Sequence, residues 1–265
     1  MRKLTEKEMH DYLLEIVRAL DNYCKANNIV YYLSGGSLLG AVRHNGFIPW
    51  DDDIDVMMPR DDYERFVSGF VDDRYKLAYC EKNKEFGYPY AQMWDSRTIK
   101  DWGNLNQLDI GLCIDILPID GYSDSLLLSK IREYHLLLIR KFRVFMMQKE
   151  MDQNVKFRLI KNFIYKNNPK SANDYAVLIN KMGRQHSFQT SKYVGVQSGT
   201  YHAQKERNPK SIFDNTVFLK FEDMMLPAPE GYDVYLRHLY GDYMTPPPVE
   251  QQVGRHTQDV YLKED

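Results

Sequence analysis

Cysteine is scarce in this sequence, and no apolar run is long enough to cross a membrane. The three cysteines, Cys24, Cys80 and Cys113, lie far apart in a chain of 265 residues. Such a set makes neither a disulfide framework nor a zinc ligand group, which favours a reducing compartment. The N-terminal stretch MRKLTEKEMHDYLLEI carries acids where a signal peptide needs an apolar core. We therefore expect a soluble, cytoplasmic protein.

Strong net charge is also missing, since the formal value is −2. A generic nucleic-acid-binding protein is usually strongly basic, so nucleic acid is not an expected partner. The charges are nevertheless unevenly placed. Residues 51–124 contain 17 Asp or Glu against 8 Lys or Arg, whereas residues 129–170 contain 3 against 11. An acidic part beside a basic, apolar-rich part indicates a division of tasks.

Hydrophobic periodicity predicts a mixture of strands and helices. A capping box of Thr5 and Glu8 should begin the first helix. The predicted strands are 29–34, 53–58, 75–80, 91–95, 111–120, 192–198 and a pair within 216–229. The predicted helices are 5–28, 38–44, 60–70, 124–149 and 230–243, with two more before Gly183. This order predicts a mixed α/β (α+β) fold with a more helical second half.

The stretch GGSLLGAVRHNGFIPWDDDIDV, residues 35–56, places four Asp in five positions after a glycine-rich turn. Side chains alternate faces along a strand, so Asp53 and Asp55 should point to one side while Ile54 and Val56 enter the core. Neighbouring carboxylates repel one another unless a cation compensates them. Oxygen ligands favour a hard cation such as Mg²⁺ or Mn²⁺, and an EF-hand is disfavoured because its central glycine and closing glutamate are missing.

Two further features indicate phosphate chemistry. Asp115 interrupts the apolar strand LCIDIL, an unusual position for an acid unless the strand faces a site. Gly35, Gly36 and Ser37 join a strand to a helix, which presents N–H groups and the positive helix end to an anion. Alone, an acidic run is commonly a solvated loop and Gly-Gly-Ser a simple turn. Together these features favour phosphoryl or nucleotidyl transfer.

At these residues the sequence resembles the LicD family of glycan phosphotransferases, to which fukutin-type enzymes are distantly related. The resembling segments are YLSGGSLLGAVRHNGFIPWDDDIDVMMPRDDYERF (32–66), IDILPIDG (114–121), FEDMMLPAP (221–229) and YLRHLYGDYMTPPP (235–248). The resemblance implies a nucleotidyltransferase-like mixed sheet with flanking helices, and a catalytic core over residues 1–125. Residues 126–265 would complete the donor and acceptor site, either separately or as part of one continuous domain.

The resemblance also implies roles for single residues. Gly36 and Ser37 would form the phosphate-binding turn, Asp53 and Asp55 the metal-binding pair, and Asp115 the third carboxylate. By analogy with the fold, Asp115 is also the best placed to take a proton from the acceptor. Characterised relatives transfer phosphocholine from CDP-choline to a hydroxyl of a cell-surface glycan precursor. We therefore expect a phosphocholine transferase dependent on Mg²⁺ (or Mn²⁺) that acts on a teichoic acid, capsule or lipopolysaccharide precursor and releases CMP.

Two basic residues are further candidates for donor binding. Arg43 lies about two turns into the helix that follows the glycine turn, where it reaches either a phosphate or the Asp run. His256 follows an extended tail that begins at Pro246 and would fold back over the site; the alternative is an ordinary exposed histidine. His44 is expected to cap a helix end.

A choline headgroup is commonly bound by an aromatic cage. Tyr88, Tyr90, Trp94 and Trp102 lie in the acidic part and are candidates, although aromatics at this density are more often core. The basic stretch 129–170 suits either an anionic lipid surface or a solvated helix face. The first alternative places the protein at the inner face of the membrane, beside a lipid-linked acceptor.

Other functions remain open at this point. The same site would serve a transferase of ribitol, glycerol or ethanolamine phosphate from a CDP-linked donor. It would equally serve a nucleotidyltransferase that attacks the proximal phosphorus. A non-catalytic, metal-stabilised scaffold in glycan assembly is a further alternative, although the intact carboxylate set disfavours it.

Overall fold

The computed structural model describes residues 1–103, 105, 108–148, 158–199, 205–254 and 259–264. The helices in these ranges are α1 (Glu6–Ala26), α2 (Gly35–His44), α3 (Arg60–Gly69), α4 (Leu126–Met146), α5 (Arg158–Asn167), α6 (Ala172–Gly183) and α7 (Tyr232–Tyr240). The strands are β1 (Arg2–Lys3), β2 (Tyr32–Leu33), β3 (Asp55–Pro59), β4 (Tyr75–Ala78), β5 (Ala91–Asp95), β6 (Thr98–Lys100), β7 (Cys113–Gly121), β8 (Tyr193–Val196), β9 (Asn208–Pro209), β10 (Thr216–Phe221), β11 (Met224–Pro229) and β12 (Val260–Leu262). The predicted α+β class is confirmed.

A mixed sheet of seven strands forms the centre of the described structure. Its main order is β2-β3-β7-β5-β4, and β8 joins β7 to the short β9. β3 and β7 run parallel, whereas the other neighbours are antiparallel. β7 is therefore the central strand: it pairs with β3 along one edge, and with β5 and then β8 along the other.

The core lies where α1 and α3 pack on this sheet. The capping box is confirmed, because Thr5 Oγ1 accepts the Glu8 N–H and the Glu8 carboxylate accepts the Thr5 N–H. Apolar residues at helical spacing then face the sheet, and Leu13 and Leu20 are fully buried. Burial of a side chain of this size contributes roughly 1.5–3 kcal/mol. Ile54, just before β3, and Val56 on β3 are also fully buried, as the sequence predicted.

The glycine-rich stretch differs from its prediction. The predicted strand 29–34 is reduced to β2, and α2 begins at Gly35 rather than after a turn. Gly35 has a φ of +49°, a conformation that glycine adopts without a steric penalty. β3 begins at Asp55, so Asp53 precedes the strand and the predicted alternation does not apply to it.

The second half contributes helices and the strands that extend the sheet. The two helices predicted before Gly183 are α5 and α6, and α4 packs against α6. β10 and β11 form a hairpin that contacts α2 and β2. β12 pairs with both β1 and β6, a small sheet that the sequence did not predict because two- and three-residue strands carry no periodic signal. In the described part of the chain, no helix combines the length and apolarity needed to span a bilayer.

Candidate active site

Two of the candidate aspartates face each other across parallel strands. Asp55 is the first residue of β3 and is in register with Asp115 on β7. The Asp115 N–H donates to the Ile54 carbonyl at 3.0 Å, which fixes this register. Both side chains are half-buried and surrounded largely by protein atoms. The fold thus brings together two acids that are 60 positions apart in the sequence.

The N-terminus of α2 lies against these acids. Ser37 Oγ accepts the Asp55 backbone N–H at 2.8 Å, which ties the helix to the strand. A Cβ atom on Gly35 would lie 3.5 Å from Asp55 Oδ2, and one on Gly36 would lie 2.8 Å from Asp51 Oδ2. A side chain at position 36 would therefore displace the Asp51 carboxylate. The proposed phosphate-binding turn is the first turn of a helix that adjoins the acid cluster.

The neighbouring acids make ionisation of these carboxyl groups less favourable. Burial raises the pKa of Asp55 well above its usual range, and the charges of Asp53 and Asp115 raise it further. Burial likewise raises the pKa of Asp115 to about 6, with a contribution from Asp53 and an opposing one from a hydrogen bond to Gln92. Asp53 thus lies close enough to act on both acids although it precedes the strand. A cation or a proton between these carboxylates would relieve the repulsion.

The neighbouring strand β5 orients Asp115. Gln92 lies directly opposite Asp115, and its Nε2 donates to Asp115 Oδ1 at 2.8 Å. Tyr90 lies just before β5, and Trp94 lies within it. The Tyr90 hydroxyl also acts on this carboxylate and lowers the pKa of Asp115. The hydrogen bond from Gln92 restricts the orientation of the carboxylate.

Sequence reasoning missed two groups from the second half. Glu206 is buried, and burial raises its pKa to about 7. Its charge acts on Asp55, and it accepts a hydrogen bond from the Tyr235 hydroxyl at 3.3 Å. The Tyr240 hydroxyl would lie 3.6 Å from a Cβ on Gly35, and its pKa is raised by burial and then by Asp55. The segment YGDY was expected merely to close a helix, and no local pattern marks Glu206.

The other candidate residues have different surroundings. Arg43 donates to the Tyr243 carbonyl at 2.8 Å and to His44 Nε2 at 2.9 Å. The predicted helix-end cap at His44 is wrong: His44 is the last residue of α2, and the cap is Asn45 with a φ of +58°. His256 lies outside the described residues. Lys100 Nζ lies 4.8 Å from the ring centroid of Trp102, so this indole already has a cationic neighbour.

The chemistry of this group fits a divalent cation, although the carboxylates do not form a complete ligand set. Among the residues that the structure describes, no group of three or more His, Cys, Asp or Glu is arranged to hold a metal ion. Asp55 and Asp115 are nevertheless adjacent, and their ionised forms repel each other. Carboxylate oxygens are the ligands that Mg²⁺ and Mn²⁺ prefer. A cation would therefore bind where these two acids meet, with Asp53 beside them.

Known proteins are similar to this chain in sequence. Residues 28–126 match the family model described as LicD/FKTN/FKRP, nucleotidyltransferase domain. Over 99% of its length the chain is 29% identical to the lipopolysaccharide cholinephosphotransferase LicD of Haemophilus influenzae, all of which it covers. A stretch of 44 residues, 17% of this chain and 9% of the relative, is 48% identical to the human ribitol 5-phosphate transferase FKRP. The chain is therefore similar to a LicD protein over nearly its whole length, and its residues 28–126 match the nucleotidyltransferase domain of the LicD/FKTN/FKRP family.

Proposed function

We propose that this protein transfers phosphocholine from CDP-choline to a hydroxyl of a cell-surface glycan precursor and releases CMP. The observation that carries the proposal is the register pair of Asp55 and Asp115 beside the N-terminus of α2, because it places acids and helix N–H groups around one space. Full-length similarity to a lipopolysaccharide cholinephosphotransferase supports the choice of phosphocholine. The acceptor is accordingly a lipopolysaccharide precursor, or the chemically related teichoic acid or capsule.

Asp55 and Asp115, with Asp53, would hold Mg²⁺ or Mn²⁺. When bound, such a cation neutralises phosphate charge and stabilises the negative charge that develops on the leaving group. The raised pKa values of Asp55 and Asp115 support this assignment, because burial, and then the charges of neighbouring acids, disfavour their ionised forms when no cation is present. Gly36 and Ser37 at the start of α2 would face a donor phosphate with backbone N–H groups.

The residues of this chain supply orientation and proton transfer. The acceptor oxygen forms a bond to the choline-bearing phosphorus, and the bond from that phosphorus to the bridging oxygen breaks, so that CMP leaves with the electron pair. Asp115 takes the hydroxyl proton. Burial raises the pKa of Asp115 to about 6, which makes its carboxylate a stronger base than that of an exposed aspartate. Gln92 keeps that carboxylate pointed into the site.

The product decides this proposal. Incubation with CDP-choline, Mg²⁺ and a glycan acceptor should release CMP and leave phosphocholine on the sugar, as detected by phosphorus NMR and mass spectrometry. CMP on the acceptor with free choline phosphate would instead identify a nucleotidyltransferase. Inertness towards CDP-choline together with turnover of CDP-ribitol would favour the ribitol alternative, which the local similarity to a ribitol 5-phosphate transferase motivates.

The same proposal includes contact with a membrane surface through α4. Its outward face carries exposed apolar side chains, with Leu127, Ile131 and Tyr134 between 58% and 68% exposed. Lys130 and Lys141 are exposed beside them. An apolar stripe flanked by lysines matches the interface of an anionic bilayer. A lipid-linked acceptor would then reach the site at the membrane surface.

A further inference from the structure

Two arginines of α4 point into the protein instead of into solvent. Arg140 and Arg143 are 4% and 2% exposed, and residues three apart are neighbours on a helix surface. Arg140 donates to the Gln197 carbonyl, and Arg143 donates to the Gly87 carbonyl at 2.8 Å. Among the described residues neither guanidinium forms an ion pair, and the Nε atom of each is buried without a hydrogen-bond acceptor.

This arrangement is costly in the protein as described. Burial lowers the pKa of both arginines, and the charge of Arg143 lowers that of Arg140 further. Arginine nevertheless stays charged in proteins. The charges of Glu133 and Glu206 oppose the fall in the Arg140 pKa, but no carboxylate of the described residues forms an ion pair with either guanidinium. A buried charge without a partner is strongly unfavourable, whereas an apolar residue of similar size at the same position is not. The pair is therefore better explained by an anion that it binds than by stability.

Arg143 adjoins the carboxylate site through two tyrosines. Its guanidinium carbon lies 5.2 Å from the ring centroid of Tyr88. The Tyr88 ring lies 5.2 Å, centroid to centroid, from that of Tyr90. Tyr90 in turn precedes β5, the strand that pairs with β7 opposite Asp115, and its hydroxyl lowers the pKa of Asp115. One side of the pair is thus in continuous contact with the acids proposed to bind the metal.

Arg140 adjoins the same site through Glu206. The charge of Arg140 opposes the rise in the Glu206 pKa, and the charge of Glu206 raises the pKa of Asp55. Arg140 donates to the Gln197 carbonyl, and the adjacent Val196 N–H donates to Glu206 Oε2 at 3.4 Å, so the two charged groups contact neighbouring residues of the chain. The two arginines and the acids therefore border a common region, with cations on α4 and carboxylates on β3 and β7.

A second set of unpartnered polar atoms lies beside Arg140. Ser198 is 3% exposed and its hydroxyl has no hydrogen-bond partner. Gln197 Oε1 is buried and unpartnered as well, although its Nε2 donates to the Gly121 carbonyl at 2.6 Å. Buried polar groups in native proteins are nearly always paired, so several orphans in one place indicate a polar ligand. Gln197 Oε1 can only accept, but the Ser198 hydroxyl and the two Nε atoms can donate, and this majority of donors favours an anion.

We propose that Arg140, Arg143 and Ser198 form a phosphate subsite for the nucleotide donor, adjoining the carboxylates Asp55 and Asp115. The assignment rests on the proposed function, because a CDP-linked donor carries a diphosphate. One phosphate charge is balanced at the carboxylates by the cation, and the other is balanced by guanidinium groups, which bind phosphate oxygens through paired N–H donors.

The test measures binding of inorganic pyrophosphate by isothermal titration calorimetry, once with EDTA and once with Mg²⁺. Arg140→Gln and Arg143→Gln should each weaken binding by about tenfold or more, since each removes charge-assisted hydrogen bonds. Arg132→Gln is the matched control: Arg132 lies on the same helix about 12 Å away from Arg140, also has an unpartnered Nε, and contacts Gln185. Its affinity should stay within twofold of the wild type.

Arg140→Met and Arg143→Met separate binding from structure. If the arginines serve an anion, these variants lose pyrophosphate affinity while their ligand-free melting temperature is unchanged or raised. A lowered melting temperature with wild-type affinity would overturn the subsite. Failure of the wild type to bind pyrophosphate under both conditions would overturn it as well.

The binding of pyrophosphate does not depend on which headgroup the donor carries. Loss of pyrophosphate binding in the arginine variants, combined with no transfer from CDP-choline by the wild type, would retain the subsite and reject the proposed function. Transfer from CDP-choline with equal pyrophosphate binding by Arg140→Gln, Arg143→Gln and Arg132→Gln would do the reverse.

Discussion

Asp55 and Asp115 are held together by the backbone, not by mutual attraction. Parallel pairing of β3 and β7 sets their register, and the Ile54 carbonyl and Ser37 hydroxyl accept the N–H groups of the two acids. Folding therefore brings two like charges together, and the favourable free energy of other contacts in the core offsets their repulsion. Functional sites commonly contain carboxyl groups with such elevated pKa values, because two close carboxylates favour the binding of a cation or of a proton.

Removal of one acid should abolish activity and spare the fold. Asp55→Asn and Asp53→Asn should each reduce turnover by at least about a hundredfold, because a metal ion contributes several kcal/mol to the stabilisation of the transition state. The melting temperature without metal should be unchanged or higher, since a repelling charge is lost. Activity and thermal-shift assays measure both effects. Asp61→Asn, an exposed acid on α3, is the control; turnover like that of the wild type in Asp55→Asn would eliminate the site.

Stability without metal should fall as pH rises through the acidic range. The pKa of Glu206 rises from 4.5 to about 7 on folding and that of Asp115 from 3.8 to about 6. Between the unfolded and folded values the native state binds more protons than the unfolded chain, so the free energy of unfolding decreases with pH. The melting temperature should therefore drop between about pH 5 and 7.5, and Mg²⁺ should reduce the drop.

Glu206→Gln tests the source of that slope. The variant cannot ionise, so its melting temperature should depend less on pH over the same interval. Glu250→Gln, which changes an exposed acid, should keep the wild-type slope. A wild-type profile that is flat or rises across this interval would contradict the assignment of these buried carboxyls.

The residues that sequence reasoning identified share a local signal. Asp115 was recognisable as an acid inside an apolar strand, and Asp55 as the start of an alternating one. Glu206 and Tyr240 had no such signal, because they reach the site through contacts across more than 150 positions of the chain. Asp53 was assigned to the right cluster for an incorrect reason, since it lies before β3 and not within it.

At the scale of elements, α4 reverses the orientation expected for a basic helix. The interior-facing side includes Arg140 and Arg143, whereas Leu127, Ile131 and Tyr134 are exposed. Composition predicted a basic, amphipathic helix but not which face would be buried. The buried face is set by the residues behind the helix, whose backbone carbonyls accept hydrogen bonds from the two arginines. The short pairing of β12 likewise depends on a strand that is distant in the sequence.

The outward face of α4 should bind anionic vesicles. Co-sedimentation with phosphatidylglycerol-containing liposomes should fall steeply as salt rises, since each lysine near the surface contributes about 1 kcal/mol that salt screens. Lys130→Ser with Lys141→Ser should weaken binding, and Lys220→Ser, on the distant hairpin strand β10, should not. Equal sedimentation of all variants, or none for the wild type at low salt, would leave α4 as a solvated helix.

At the scale of the whole molecule, the two halves share one core. Val194 and Val196 on β8 are buried beside β7, and Tyr32 on β2 packs against Phe213 with ring centroids 5.6 Å apart. Arg60 and Asp120 form a buried ion pair. Arg60 Nη1 also donates to Asn180 Oδ1 on α6 at 2.7 Å, which links this pair to the second half of the chain.

The boundary predicted near residue 125 can be tested by separating the halves. A fragment of residues 1–125 would expose the β7 edge that pairs with β8, and would leave Arg60 and Asp120 without Asn180. It would also lose the buried Tyr235, which contacts Ser34 at 3.3 Å. We therefore expect no cooperative thermal transition for the fragment by calorimetry and no near-ultraviolet circular dichroism like that of the full chain, because a domain that loses one face of its core no longer offsets its conformational entropy. A sharp transition near the melting temperature of the full chain would instead establish residues 1–125 as an autonomous core, with the second half as an addition to it.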